Sequence, residues 1–188
     1  METTTIPVQQ NATKVATKWA LIYTVVAIIN TYVFQYLNID QTSSWKYLST
    51  LIFILFVILT QKEYRDTIGG YITYGNAFSA GFRFSVFSGV LVGVFTCLYY
   101  YILSPQMFDK MLETVQAAMD AKNAPSNVVE GTMNFYRNWG KVMFPFFTAI
   151  GCAIVGTIVS LITAAIFKKE RSPYDIAQDA IDPTETNV

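Results

Sequence analysis

Four long stretches that contain almost no charge limit the fold of this chain more than any other feature of its sequence. A helix needs about 20 apolar residues to cross the hydrocarbon core of a bilayer. Three of the stretches reach this length, and the second reaches it only when its flanking residues are counted. We therefore predict an all-α integral membrane bundle of four transmembrane helices, in a single domain over residues 1–167. The predicted spans are residues 19–37, 45–61, 78–103 and 143–167.

The composition agrees with a membrane protein and limits its chemistry. Hydrophobic residues make up 53% of the 188 residues and charged residues only 14%, whereas about a quarter of the residues in a soluble domain are charged. Cys97 and Cys152 lie inside predicted spans, where cysteine is typically a small buried apolar residue. The chain has no histidine, which excludes His-based catalytic triads and imidazole metal sites. We predict no enzyme activity, no cofactor, no metal and no nucleic-acid partner.

Two ridges of small residues predict how the third and fourth spans pack. Small residues recur at every fourth position in both spans, so each set lies along one face of a helix. Such a ridge lets a second helix approach closely, which is a common way for helices to associate in lipid. The predicted helix-packing residues are Gly81, Ser85, Gly89 and Gly93 in the third span, and Cys152, Gly156, Ser160 and Ala164 in the fourth.

The limits of these two spans also predict which small residues face each other. Antiparallel neighbours that cross the same bilayer have their centres at the same depth, here near residues 90 and 155. We expect the closest approach of the two helices near Gly89 and Gly156. The resulting pairs are Gly81 with Ala164, Ser85 with Ser160, Gly89 with Gly156, and Gly93 with Cys152.

Lysine and arginine residues beside the short segments predict the orientation in the membrane. Such residues favour the cytoplasmic side, and they flank both termini and the connection between the second and third spans. We therefore predict a multi-pass inner-membrane protein with both termini in the cytoplasm. Residues 1–16 are polar, and residues 168–188 begin with two lysines and then become acidic. We expect a mobile N-terminal tail and a disordered cytoplasmic C-terminal tail.

The segment between the third and fourth spans, residues 104–141, is predicted to form an extracytoplasmic helical hairpin. Ser104 and Pro105 are typical of a helix start, and Asn127 with Glu130 resembles a capping box that begins a second helix. The first helix is amphipathic, and its apolar face either lies on the membrane and bundle or docks a partner helix. This face consists of Met107, Phe108, Met111, Leu112, Val115 and Met119.

Polar residues inside the spans offer few candidates for ligand chemistry. None of the four predicted spans contains Asp or Glu, whereas coupled transport usually needs a buried carboxylate. Arg83 lies about one turn inside the cytoplasmic end of the third span. Its side chain either reaches back to lipid phosphate at the interface or contacts a lipid headgroup or ligand. Asn30, near the middle of the first span, is expected to form a hydrogen bond between helices.

About half of the chain, residues 70–169, resembles a known family of small membrane proteins. The resemblance rests on Gly70-Tyr71-Ile72-Thr73-Tyr74-Gly75-x-Ala77-Phe78, Gly81-Phe82, Tyr99-Tyr100-Tyr101, Pro105-x-x-Phe108 and a glycine-rich last span ending in Lys168-Lys169. This family is domain of unknown function 4199, which comprises uncharacterised bacterial membrane proteins of the Bacteroidetes type. The resemblance implies a four-helix inner-membrane protein. Because the family has no assigned activity, no functional residue is carried over from it.

Two functional classes stay open after these observations. The first is a scaffold or accessory protein that binds membrane lipids, other membrane proteins or a second copy of itself. The alternative is a subunit of a transporter or channel, which would act as an oligomer. An enzyme is the least favoured class, because the sequence shows no nucleophile–base pair and no set of metal ligands.

Overall fold

A computed structural model describes residues 11–37 and 46–169 of the chain. Within these ranges the chain forms five α-helices and one π-helical turn. The helices are α1 (Ala12–Tyr36), α2 (Lys46–Thr67), α3 (Tyr74–Leu98), α4 (Pro105–Asp120) and α5 (Ser126–Phe167), and the π-helical turn Tyr99–Leu103 extends α3. The described residues contain no β-strand, only a single bridge between Ile72 and Lys169. The predicted all-α class is therefore confirmed.

Four of these helices are long and apolar enough to cross a membrane, namely α1, α2, α3 with its π-helical turn, and α5. This confirms the prediction of a transmembrane protein. Large apolar side chains cover the outside of the bundle, and Val25, Leu51, Val94 and Ile158 are each more than half exposed. Apolar surface of this extent is suited to contact with lipid chains.

Helix α5 differs from the predicted layout, because it is a single helix of 42 residues. At 1.5 Å per residue it is about 63 Å long, roughly twice the thickness of the hydrocarbon core. The predicted fourth span and the second helix of the outer segment are thus one continuous helix, and Pro145 does not end it. The extended backbone at Pro125 sets its start at Ser126, without a side-chain cap. The predicted capping box at Asn127 is therefore wrong.

The start of α1 also differs from the prediction. Asn11 caps the helix, and its Oδ1 accepts a hydrogen bond from the Thr13 N–H (3.4 Å). Ala12, Val15 and Ala16 are buried, so the prediction of a mobile tail is wrong for this segment. Threonines interleaved with these small apolar positions make the segment look polar in sequence. The remaining parts of both predicted tails lie outside the described residues.

Helix α4 begins at Pro105, as predicted, and packs against α5, but the Ser104 side chain forms no capping hydrogen bond. Its buried side chains are Phe108 and Leu112, while its methionines are half-buried. The Phe108 ring lies 6.3 Å from the Phe144 ring of α5, centre to centre. The helix ends at Asp120 with Ala121 as its C-cap residue, and the chain then turns at Asn123, whose φ is 53°.

Helix α3 is the centre of the bundle and packs against α1, α2 and α5. Aromatic rings fill the space among α1, α2 and α3. The Tyr23 ring centre lies 5.4 Å from that of Phe53 and 5.9 Å from that of Phe84, within the range of edge-to-face contacts. Asn30 Nδ2 donates a hydrogen bond to Ser49 Oγ of α2 (2.8 Å), which is the predicted bond between helices.

Four helix ends meet at one end of the bundle, which we call the basic end. Its positively charged residues are Lys14, Lys18, Lys62, Arg65, Arg83, Lys168 and Lys169. The ion pair of Lys18 with Glu63 (2.7 Å) joins the start of α1 to the end of α2. Two backbone hydrogen bonds between Ile72 and Lys169 (2.8 and 3.0 Å) join the start of α3 to the end of α5.

Candidate functional site

Helices α3 and α5 touch through the two ridges of small residues. A Cβ atom added to Gly89 would lie 2.8 Å from the Ala149 carbonyl oxygen and 3.2 Å from the Cys152 Cβ. A Cβ atom added to Gly93 would lie 3.0 Å from the Pro145 carbonyl oxygen. Distances this short leave no room for a side chain, so the two glycines allow the helix backbones to meet.

The register of this contact differs by one helical turn from the predicted register. A Cβ atom added to Gly81 would lie 2.5 Å from the Ser160 Oγ, and one added to Gly156 would collide with the Ser85 side chain. Each glycine therefore accepts a serine from the other helix. The predicted register would instead place Gly89 against Gly156 and Ser85 against Ser160, and it would lose the contacts that fill the interface.

Ala164 lies at the basic end of the ridge on α5, where it is fully buried against Ile72 and Ala77. Of the eight residues predicted to pack helices, seven are buried and only Cys152 is half-buried. The ridges are thus covered within a single chain.

Arg83 joins α3 to the first turn of α1. Its Nη1 donates a hydrogen bond to the Thr13 Oγ1 (2.6 Å) and a longer one to the Asn11 Oδ1 (3.5 Å). Arg83 as a whole is half-buried. Arg83 therefore has protein partners that the sequence interpretation, based on lipid phosphate or a ligand, did not include.

A fully buried glutamine lies where α2 meets the two ridges. Gln61 Nε2 donates a hydrogen bond to the Ser160 backbone carbonyl (3.2 Å). A Cβ atom added to Gly81 would lie 2.6 Å from this nitrogen, so the absence of a side chain on Gly81 makes room for the amide group. Among the described residues, the Gln61 Oε1 and the Ser160 Oγ have no hydrogen-bond partner.

A carboxylate at the basic end holds α1 against α2. Glu63 accepts hydrogen bonds from the Lys18 ammonium at 2.7 and 2.8 Å and from the Trp19 Nε1 at 2.9 Å. The Lys18 nitrogen also lies 5.3 Å from the centre of the Trp19 ring, which is a cation–π distance. One carboxylate thus orients an indole ring of the kind commonly found at membrane–water interfaces.

A groove of about 410 Å³ opens beside this cluster, between α1 and α2. It is lined by the apolar side chains Trp19 and Leu59 and by the charged residues Lys62, Glu63 and Asp66. Lys62 is exposed and forms no ion pair with any residue that the structure describes. The groove can therefore offer both an apolar surface and an unpaired cation. In the described part of the chain, no three His, Cys, Asp or Glu residues are placed to hold a metal ion.

The match with a known family covers most of this architecture. Residues 18–169 match a family described as protein of unknown function (DUF4199). The chain belongs to this family. No curated protein and no solved structure matches the chain. The matched range contains the groove, Arg83 and both ridges of this DUF4199 protein, whereas the partners of Arg83 on α1 precede it.

The buried position of Gln61 and the pairing of Lys18 with Glu63 are not among the features predicted from the sequence of this DUF4199 protein, in which Gln61 is only the end of the second predicted span. A signal for its burial is nevertheless present, because Phe53, Val57 and Gln61 recur at four-residue intervals and so share one face of α2. The contact between Lys18 and Glu63 joins residues 45 positions apart. No local pattern in the sequence signals such a contact.

Proposed function

We propose that this DUF4199 protein is an accessory membrane protein, a small scaffold that binds phospholipid in the groove between α1 and α2. The observation that carries the proposal is the combination, in one groove, of the apolar surfaces of Trp19 and Leu59 with the exposed ammonium of Lys62. A phospholipid has the same two parts side by side, an acyl chain next to a charged headgroup. Long lysine side chains commonly keep their ammonium group at this boundary.

The charges on the groove favour a zwitterionic headgroup. Lys62 offers a cation to the lipid phosphate. Asp66 lies one turn beyond Lys62 on α2. Residues four apart on a helix have Cβ atoms about 5–6 Å from each other, and this distance is comparable with the length of an ethanolamine headgroup. The Asp66 Oδ1 pairs with Arg65 (3.0 Å), but the Asp66 side chain is 51% exposed. Its carboxylate therefore also suits the ammonium group of the lipid.

Packing inside the bundle supports binding at its outer surface over passage through it. The rings of Tyr23, Phe53 and Phe84 lie against each other between the helices. The competing class is a subunit of a transporter or channel. Such a subunit would need a polar route for its solute through the bundle, and these rings leave little space for one.

We propose that the basic end faces the cytoplasm and that the bundle lies in the inner membrane. The ends of the helices at the basic end carry the lysines and arginines that flank the termini and the connection between α2 and α3. Lysine and arginine in such short segments favour the cytoplasmic side. An anionic cytoplasmic leaflet attracts such residues by about 1 kcal/mol each.

Native mass spectrometry of the protein released from mixed-lipid nanodiscs tests the lipid site. The wild-type protein should retain phosphatidylethanolamine in preference to diacylglycerol, which lacks the phosphate. Lys62→Ala should weaken this retention by up to about five-fold, as expected for an exposed ion pair that contributes up to about 1 kcal/mol. Lys14→Ala is the matched control, because Lys14 is an exposed lysine at the same end that does not line the groove.

Equal retention of phosphatidylethanolamine by the two variants would contradict the proposed site. Solute flux into liposomes that contain the purified protein alone would favour the transporter class instead.

A further inference from the structure

Two polar atoms without partners lie on neighbouring side chains inside the bundle. Gln61 and Ser160 have no exposed surface, and among the described residues the Gln61 Oε1 and the Ser160 Oγ have no hydrogen-bond partner. Leaving a buried polar group unpaired costs about 1–3 kcal/mol. In folded proteins, most such groups are bonded either to protein or to ordered water. Two of them on contacting residues raise the question of a shared partner.

The side chains of Gln61 and Ser160 do not form a hydrogen bond with each other, because the Gln61 amide already donates to another group. Its Nε2 donates to the Ser160 backbone carbonyl (3.2 Å). Turning the amide over would break this bond and place the amide oxygen against the Ser160 carbonyl oxygen. What is missing is therefore a group that donates to the Oε1 and also accepts from the hydroxyl.

We infer that one water molecule is bound between Gln61 and Ser160, donating a hydrogen bond to the Gln61 Oε1 and accepting one from the Ser160 hydroxyl. Water has both capacities in one small molecule, and buried waters typically form about three hydrogen bonds to protein. This site would connect α2 to the contact between α3 and α5, because Gly81 of α3 lies against both side chains. The inference does not depend on lipid binding at the groove.

The surroundings favour neutral water over a cation. The neighbouring buried hydroxyls of Thr60 and Ser85 each donate to a backbone carbonyl of their own helix (2.8 Å in both). Glu63, the closest acidic residue along α2, is paired with Lys18 at the basic end. A cation between Gln61 and Ser160 would therefore lack a neutralising carboxylate, which makes its burial in a membrane protein unfavourable.

Solution NMR of the full chain in detergent micelles tests this site directly. Cross-relaxation should transfer magnetisation from the water resonance to the side-chain amide protons of Gln61. The peak should disappear in Ser160→Ala, which removes the donor to the water. It should persist in Ser85→Ala, the matched control, because the fully buried Ser85 hydroxyl donates to the Gly81 carbonyl instead.

Thermal unfolding supplies a second readout. With the water in place, Ser160→Ala removes one of its partners and should lower the unfolding midpoint by about 2–4 °C. Without the water, the same change deletes an unpaired hydroxyl and should leave the midpoint unchanged or raise it. The latter result, or the absence of a water peak while the Gln61 amide protons are visible, would overturn the inference. A Gln61 chemical shift that depends on Na⁺ or K⁺ concentration would do so too.

Discussion

The side chain of Ser85 on α3 fills the hollow that Gly156 leaves on α5, so closely that any Cβ atom added to Gly156 would collide with it. Ser85 is fully buried, and its hydroxyl donates to the Gly81 carbonyl of its own helix (2.8 Å). This bond holds the side chain in the hollow. The contact between α3 and α5 therefore depends on the absence of a side chain at position 156.

Replacing this glycine should separate the two helices. Gly156→Ala should lower the free energy of unfolding by about 1–3 kcal/mol, as overpacking does in tightly packed cores. Gly151→Ala is the matched control on the same helix, because nothing lies within 4 Å of a Cβ atom added there. Since alanine has the higher helix propensity, this control should be neutral or stabilising by up to about 1 kcal/mol.

Unfolding in micelles of increasing dodecyl sulfate content measures both variants. Ser85→Gly in the Gly156→Ala background should recover part of the loss, because it removes the colliding side chain. Similar losses in Gly156→Ala and Gly151→Ala would show that the close contact is not where the structure places it.

The contact of Arg83 with Thr13 should stabilise the start of α1. Thr13→Val keeps the shape of the side chain and removes the acceptor that lies 2.6 Å from the Arg83 Nη1. Hydrogen bonds to charged groups contribute about 1.5–3 kcal/mol, and partial exposure reduces this to about 1 kcal/mol here. Thr17→Val is the control, since its hydroxyl bonds to a carbonyl of its own helix (2.9 Å).

A double-mutant cycle with Arg83→Leu isolates this contact. The loss from Thr13→Val should vanish once Arg83 is replaced. An equal loss in both backgrounds would show that Thr13 acts without Arg83, and it would favour lipid phosphate as the partner of the guanidinium.

Removing the carboxylate of Glu63 should loosen α1 from α2. Glu63→Ala deletes the bonds to Lys18 and Trp19 and should destabilise the protein by about 1 kcal/mol, at the upper end for partly exposed ion pairs. Asp66→Ala deletes an exposed pair between adjacent residues of α2 and should change stability by less than about 0.5 kcal/mol.

The difference in unfolding free energy between Glu63→Ala and Asp66→Ala, measured by chemical unfolding, should shrink at high salt. A difference that does not respond to salt would point to packing around Trp19 instead of charge.

Cysteine labelling in intact cells tests the proposed orientation. Thr67 and Glu113 are exposed residues on α2 at the basic end and on α4, respectively. In a background without Cys97 and Cys152, an impermeant maleimide should label Glu113→Cys in intact cells but Thr67→Cys only after lysis. Labelling of Thr67→Cys in intact cells would reverse the orientation.

Hydrophobic length is sufficient to predict three of the four spans, because few soluble elements contain about 20 apolar residues in succession. The second span reaches this length only with its flanking residues. The start of α4 is equally readable, since Pro105 suits only the first turn of a helix. The start of α1 is harder to predict, because Asn11 acts as its cap within a threonine-rich segment that also resembles a loop.

The register of α3 against α5 shows why contacts are harder to predict than spans. Small residues recur at every fourth position on both helices. If one helix is shifted by one turn along the other, small residues therefore face small residues again. Ser85 can thus face either Ser160 or Gly156 without changing the pattern. Which one it faces is decided by the fit of side chains into hollows, here serine into glycine. Long-range partners such as Lys18 and Glu63 depend on that three-dimensional arrangement.

The continuity of α5 gives this small protein a mechanical property. A continuous helix of 42 residues is about 63 Å long, which is roughly twice the thickness of the hydrocarbon core. Near its middle it packs against α4 through Phe108 and Phe144. At its C-terminal end it is joined to the start of α3 by the backbone bonds between Ile72 and Lys169. Because one hydrogen-bonded helix connects these two contacts, a displacement of α4 would be passed along α5 to its C-terminal end and, through Ile72, to the start of α3.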